Sequence, residues 1–117
     1  MATTVYFNPG CTKCRTTQSI LAERGIDADY VEYLRQAPTA EELRNVMGLL
    51  GIDDPRAMMR TGEPVYAELG LADGGPDQLL DAITRHPILL ERPIVIRGER
   101  AVIARPAERV LELLDEE

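Results

Sequence analysis

The run Thr3-Thr4-Val5-Tyr6-Phe7, β-branched and aromatic, is cut short by Asn8-Pro9-Gly10 and followed from Thr12 to Arg24 by a stretch free of proline and glycine. No other feature constrains the fold as strongly. The first run predicts a strand entering a tight turn. The second predicts a helix with Thr17, Ile20, Leu21 and Arg24 on one face, stopped by Gly25. Asp29 to Leu34, with Tyr30, Val31 and Tyr33, reads as a second strand, and strand-helix-strand implies parallel pairing through a right-handed crossover.

Further along, Thr39-Ala40-Glu41-Glu42 fits a capping box, and Leu43, Val46, Met47 and Leu50 follow at helical spacing before Gly51. Pro55, Pro64 and Pro76 predict three more helices, one ending near Arg60, one at Gly70 and one running from Pro76 to His86. Ile94-Val95-Ile96 and Ala101-Val102-Ile103 flank Arg97-Gly98-Glu99-Arg100, the pattern of an antiparallel hairpin with glycine at its first turn position. Pro106 opens a last helix with Ala107, Val110, Leu111 and Leu114 on one stripe, and Asp115-Glu116-Glu117 is expected to fray into water. The order β-α-β, helical insert, β-β-α is the thioredoxin-like plan, an α/β fold with one four-stranded mixed sheet packed between helices. A flavodoxin-like arrangement needs more parallel strands than this length supplies. With no repeat and no long linker, residues 1–117 read as a single domain.

Charge narrows the function. Asp and Glu number 20 against 13 Lys and Arg, a formal net charge of -7, so the chain as a whole repels nucleic acid and anionic membranes. No apolar run approaches the ~18 to 20 residues of a bilayer span, and Met1-Ala2-Thr3-Thr4 lacks the pattern of a signal peptide, so the chain reads as cytoplasmic. Lys13 is the only lysine and the other basic residues are arginines, which fits either a coding bias or selection for planar, bidentate anion contacts.

Cys11 and Cys14 are the only cysteines, and three residues apart they cannot staple distant parts of a fold. Cys11 falls at the predicted helix start. Free N–H groups and the positive end of the helix dipole stabilise a thiolate there, and Lys13 and Arg15 are expected to push its pKa down further. Cys14, one turn on, is placed to attack an oxidised Cys11, so the pair could cycle between dithiol and disulfide. Two small buried hydrophobes would be the structural alternative, but the turn just before Cys11 argues against it. A zinc site needs about four ligands, and Cys11, Cys14 and the single His86 fall short. No metal or bound cofactor is therefore expected. His86 suits a helix C-cap, and Met58, Met59 and the tyrosines suit a core.

Residues and spacing thus lead to a thiol-redox domain. Beyond that, Tyr6-Phe7-Asn8-Pro9-Gly10-Cys11-Thr12-Lys13-Cys14-Arg15-Thr16-Thr17 resembles the start of the ArsC family, the glutaredoxin-coupled arsenate reductases and their shorter relatives. Tyr33-Leu34 with Pro38-Thr39, Met59-Arg60, Tyr66-Ala67-Glu68-Leu69-Gly70-Leu71-Ala72, His86-Pro87-Ile88-Leu89-Leu90, Glu91-Arg92-Pro93-Ile94-Val95 and Ala104-Arg105-Pro106 resemble further family motifs in family order. The resemblance implies a nucleophilic Cys11 that attacks arsenate or a similar oxyanion, held by Arg60, Arg92 and Arg105. It also implies a cis bond at Arg92-Pro93, with glutathione and glutaredoxin, or thioredoxin by way of Cys14, supplying electrons. Well-studied members carry a histidine where this chain has Phe7, so activation of Cys11 falls to the helix end and nearby cations. Arg35, Arg44, Arg56 and Arg109 are expected to be solvated or ion-paired surface residues. The Spx regulators, which bind RNA polymerase, resemble the same family and carry Cys-x-x-Cys here, and they supply the alternative reading of a redox-switched regulator.

Overall fold

A computed structural model describes residues 2–114. It divides into two compact units, a sheet unit built from the chain up to Tyr33 and from Arg92 onward, and a helical unit, Leu34–Glu91.

In the sheet unit, strand β1 (Thr3–Phe7) leads through Asn8-Pro9-Gly10 into helix α1 (Thr12–Glu23), and β2 (Asp29–Glu32) follows. After the helical unit come β3 (Ile94–Arg97), β4 (Arg100–Ile103) and a closing 3-10 helix, Ala107–Leu113. The sheet order is β2-β1-β3-β4, with β1 and β2 parallel and the other pairs antiparallel, as the thioredoxin-like plan requires. β2 stops two residues short of the expected Leu34. Phe7 pairs with Glu32 at the end of β1, and beyond Phe7 the chain turns away, so Tyr33 and Leu34 have no strand to continue on.

Register explains the core. Val5 lies opposite Val95, which lies opposite Val102, and the two-residue alternation of a strand puts Phe7 on the same face. Cys14 and Leu21 of α1, with Val110, Leu113 and Leu114, bury against these side chains. The buried stripe of α1 is therefore Cys14, Thr17 and Leu21, while Arg24, expected on it, is exposed because the helix ends at Glu23. The C-terminal helix corrects a second expectation. Its buried residues recur every third position, Ala107, Val110 and Leu113, as a 3-10 helix demands, and Leu111 is only partly buried. Asp115-Glu116-Glu117 lies outside the described residues.

The helical unit contains α2 (Ala40–Leu50), α3 (Pro64–Glu68) and α4 (Pro76–Arg85), with 3-10 turns at Pro55–Met58, Leu71–Asp73 and Pro87–Leu89. The capping box on α2 is formed: the Thr39 hydroxyl accepts from the Glu42 N–H at 3.1 Å, and Glu42 accepts from the Thr39 N–H at 3.0 Å. Thr39→Ala, which removes the acceptor of the Glu42 N–H and leaves that helix-end donor unmet, is expected to cost about 1 kcal/mol, read as a lower urea midpoint with an unchanged m-value. His86 caps the end of α4, and Met58 and Met59 are buried.

Arg56 makes the kind of ion pair expected of it, with Asp54 at 3.3 Å, and does more besides. Its guanidinium donates to the carbonyls of Leu71, Ala72 and Gly74 at 2.7, 3.0 and 2.9 Å and to the Tyr66 hydroxyl at 3.0 Å, clamping the turn between α3 and α4. Those acceptors lie ten or more residues away in sequence, so local pattern gave no sign of them. Arg44 and Arg109 do form the expected exposed pairs, with Asp77 at 3.0 Å and Glu112 at 3.1 Å.

Candidate active site

Asn8 shapes the turn that delivers Cys11. Its side-chain Oδ1 accepts from the Gly10 N–H at 3.0 Å, and its carbonyl accepts from the Cys11 N–H at 3.0 Å. Cys11 thereby becomes the N-cap of α1, in extended conformation, with its carbonyl accepting the first helical bond from Arg15 at 3.1 Å. No side-chain cap hydrogen bond satisfies this helix end. The N–H groups of Lys13 and Cys14 are left facing the Cys11 sulfur.

Partial burial pushes the Cys11 thiol up. The Cys14 N–H and thiol, the Lys13 N–H and the Arg92 guanidinium together outweigh that and lower it to about 7. Lys13 thus enters among the leading influences through its backbone N–H; Lys13 and Arg15 are both exposed, and Arg15 turns toward the Thr12 hydroxyl. Cys14 behaves oppositely. Burial raises it, and although the Asn8 N–H and Arg92 favour its anion, the adjoining Cys11 sulfur adds to the rise, to about 11.

Arg92 ends the chain's return to the sheet unit. Burial works against its charge, but the Tyr33 hydroxyl, Cys11 and Cys14 more than offset it and raise its pKa. Its peptide to Pro93 is cis, as the resemblance implies, and so is Arg105-Pro106, which nothing in the sequence reading anticipated. Arg105 donates through NH1 to the Arg92 carbonyl at 3.0 Å, and the Ala104 N–H donates to the Pro93 carbonyl at 2.9 Å. The sheet unit therefore gathers Cys11, Cys14 and Arg92, with Arg105 fastened to the backbone of Arg92.

Arg60 belongs to the helical unit. A single antiparallel bridge, Met59 with Leu90, fixes its segment, reinforced by Arg60 N–H to the Leu89 carbonyl at 2.7 Å and Glu91 N–H to the Met58 carbonyl at 2.8 Å. Its guanidinium pairs with Glu63 at 3.1 Å and Glu91 at 3.8 Å.

Sequence reasoning missed two members of the cluster. Asn8 was read only as a turn residue, and its N–H toward the Cys14 sulfur is a backbone contact no side-chain pattern reports. Tyr33 was read as core; it is fully buried and also adjoins Arg92. Among the described residues no group of three or more His, Cys, Asp and Glu side chains could hold a metal ion, and no helix is long and apolar enough to cross a membrane.

Chemically, the arrangement offers an ionisable sulfur beside a fixed guanidinium. Alkylation of Cys11 by iodoacetamide is expected to rise with pH through a midpoint of about 7 and then level off, since the thiol is unreactive below that value and the thiolate reactive above it. Mass spectrometry of the labelled peptide over a pH series checks this.

Comparison with known proteins agrees with the geometry. The chain is 43% identical over 116 residues to an arsenate reductase of Haemophilus influenzae, covering 97% of this chain and 100% of that one. It is 40% identical to the uncharacterized protein YfgD of Escherichia coli K12, covering 94% of each. An arsenate reductase structure from Vibrio cholerae superposes with a TM-score of 0.92 at 42% identity, over 96% of this chain and 97% of that one. The family model described as ArsC family matches residues 6–113, and with relatives this similar along nearly the whole length, the chain belongs to the ArsC family.

Proposed function

We propose that this protein is a thiol-dependent reductase that converts arsenate to arsenite at Cys11. The observation that carries the proposal is the Cys11 sulfur, lowered to about 7 at a helix end and facing Arg92, in a chain 43% identical to an arsenate reductase. Arsenate near neutrality is a tetrahedral dianion, and a thiolate approaches it only where fixed positive groups offset the repulsion. Arg92 is assigned that task at the sulfur. Arg105 joins it through its bond to the Arg92 carbonyl, and Arg60 is included on the strength of its motif, where an oxyanion would take the place of its carboxylate partners.

In the reaction, the Cys11 thiolate attacks arsenic, and one arsenate oxygen leaves as water after taking up two protons. A second thiolate then attacks the Cys11 sulfur, the sulfur–arsenic electron pair passes to arsenic, and arsenite departs. When the second thiol is glutathione, Cys11 is left as a mixed disulfide for glutaredoxin to reduce. When it is Cys14, a Cys11–Cys14 disulfide forms and thioredoxin is the matching donor. The protein itself holds no cofactor in this scheme, and such a cycle suits the reducing cytoplasm.

The test is NADPH oxidation driven by arsenate, with purified protein coupled in parallel to glutathione with glutaredoxin and to thioredoxin with its reductase. Arsenate-dependent oxidation with at least one system is expected. Its absence with both would overturn the proposal.

A further inference from the structure

Arg60 sits in a turn of the helical unit. Its N–H reaches the Leu89 carbonyl at 2.7 Å, and its own carbonyl accepts from the Glu63 N–H at 3.1 Å. Its side chain rests on Glu63, whose carboxylate accepts from Nε at 3.1 Å, while the Glu91 carboxylate stands off at 3.8 Å. Glu63 is also the N-cap of α3, and its carbonyl accepts from the Tyr66 N–H at 3.0 Å. The place of Glu63, and with it that of the Arg60 guanidinium, therefore depends on what holds α3.

Core packing contributes little. The helix is five residues long and none of them is buried. A segment that short has no helical stability of its own in water and needs ties from elsewhere in the fold. Arg56 supplies them. Its Nε donates to the Tyr66 hydroxyl at 3.0 Å, and NH2 donates to the carbonyls of Leu71, Ala72 and Gly74, which follow the helix. The Asp54 carboxylate steadies the same guanidinium at NH1. The bond between Arg56 and Tyr66 thus closes the base of a loop that has Arg60 inside it, and the carbonyl bonds anchor that base to the chain beyond α3.

We infer that Arg56 and Tyr66 are positioning residues for Arg60: the clasp between them fixes α3, α3 fixes Glu63, and Glu63 keeps the Arg60 guanidinium in one orientation until an oxyanion takes over from the carboxylates. The inference rests on Arg60 being part of the oxyanion site and adds what presets it. Presetting matters because ordering a long side chain and its turn at the moment of binding costs affinity. Neither Arg56 nor Tyr66 needs to touch the substrate for this.

Two measurements test it. The first needs no turnover: the rate at which the Arg60 Nε–H proton exchanges with water in the anion-free protein, read by NMR and assigned with Arg60→Lys. Tyr66→Phe removes one oxygen atom and keeps the ring, so the fold is retained. It is expected to speed exchange at Arg60 at least about threefold and to leave the backbone N–H groups of Leu43 and Val46, buried in α2, at the parent rate. Arg56→Lys, which keeps the charge and gives up the fork, should speed it at least as much. A parent rate at Arg60 in Tyr66→Phe, or equal acceleration in α2, would overturn the inference. The second is the KM for arsenate. Tyr66→Phe is expected to raise it about three- to tenfold with kcat within about twofold of the parent, and to add nothing further in an Arg60→Ala background. A rise just as large without Arg60, or no rise where Arg60→Ala alone gives one, would also overturn it. Faster exchange in Tyr66→Phe combined with a parent KM in Arg60→Ala would instead refute the placement of Arg60 at the oxyanion and leave the clasp as what orients its side chain.

Discussion

Cys11→Ser is expected to lose at least about a thousandfold in arsenate-dependent NADPH oxidation, falling to the background of the assay. A serine hydroxyl at the same helix end stays protonated far above neutrality, so the helix end and Arg92 have no anion to hold and the sulfur–arsenic bond cannot form. The substitution removes a partly exposed atom at an N-cap, a position that favours serine, so the fold should survive and thermal unfolding should match the parent. Substantial turnover in this variant would place the nucleophile elsewhere.

Arg92→Ala is expected to lower kcat/KM by roughly ten- to a thousandfold, the range for loss of one preorganised charge donor. The same change should raise the midpoint of Cys11 alkylation, because the guanidinium is one of the groups that favour the thiolate. The two readouts separate its duties: a shifted midpoint with modest loss of turnover means Arg92 serves the sulfur, and an unshifted midpoint with large loss means it serves the oxyanion. Arg92→Lys should fall between, retaining charge without the planar fork. Parent-like values for both in Arg92→Ala would remove this residue from the site.

Much of this was legible in the chain. The break at Asn8-Pro9-Gly10 put Cys11 at a helix start, and the hairpin around Gly98 followed from two apolar runs and a glycine with positive φ, here 61°. What sequence pattern misjudged was the source of the charge on Cys11. Lys13 and Arg15 are adjacent in sequence but project into solvent, whereas Arg92 arrives from the far end of the chain. Proximity along a helix start fixes which N–H groups meet the sulfur; it does not fix where long, flexible side chains go. Phe7 makes a related point. At the position where well-studied relatives carry histidine, its ring lies 7% exposed and edge-on to Tyr30 at 5.2 Å, so that site is committed to packing and support for the thiolate comes from elsewhere.

The β3–β4 hairpin offers a handle for experiment. Ile94 pairs with Ile103 where the hairpin leaves and rejoins the loops, and Arg92 and Arg105 are tied to each other just beyond that closure. Gly98 and Glu99, at the opposite tip, are exposed. A fluorophore or a short peptide graft placed at the tip would ride on two paired strands while the arginines keep their grip on one another, which makes this bend the natural attachment point for a reporter of turnover.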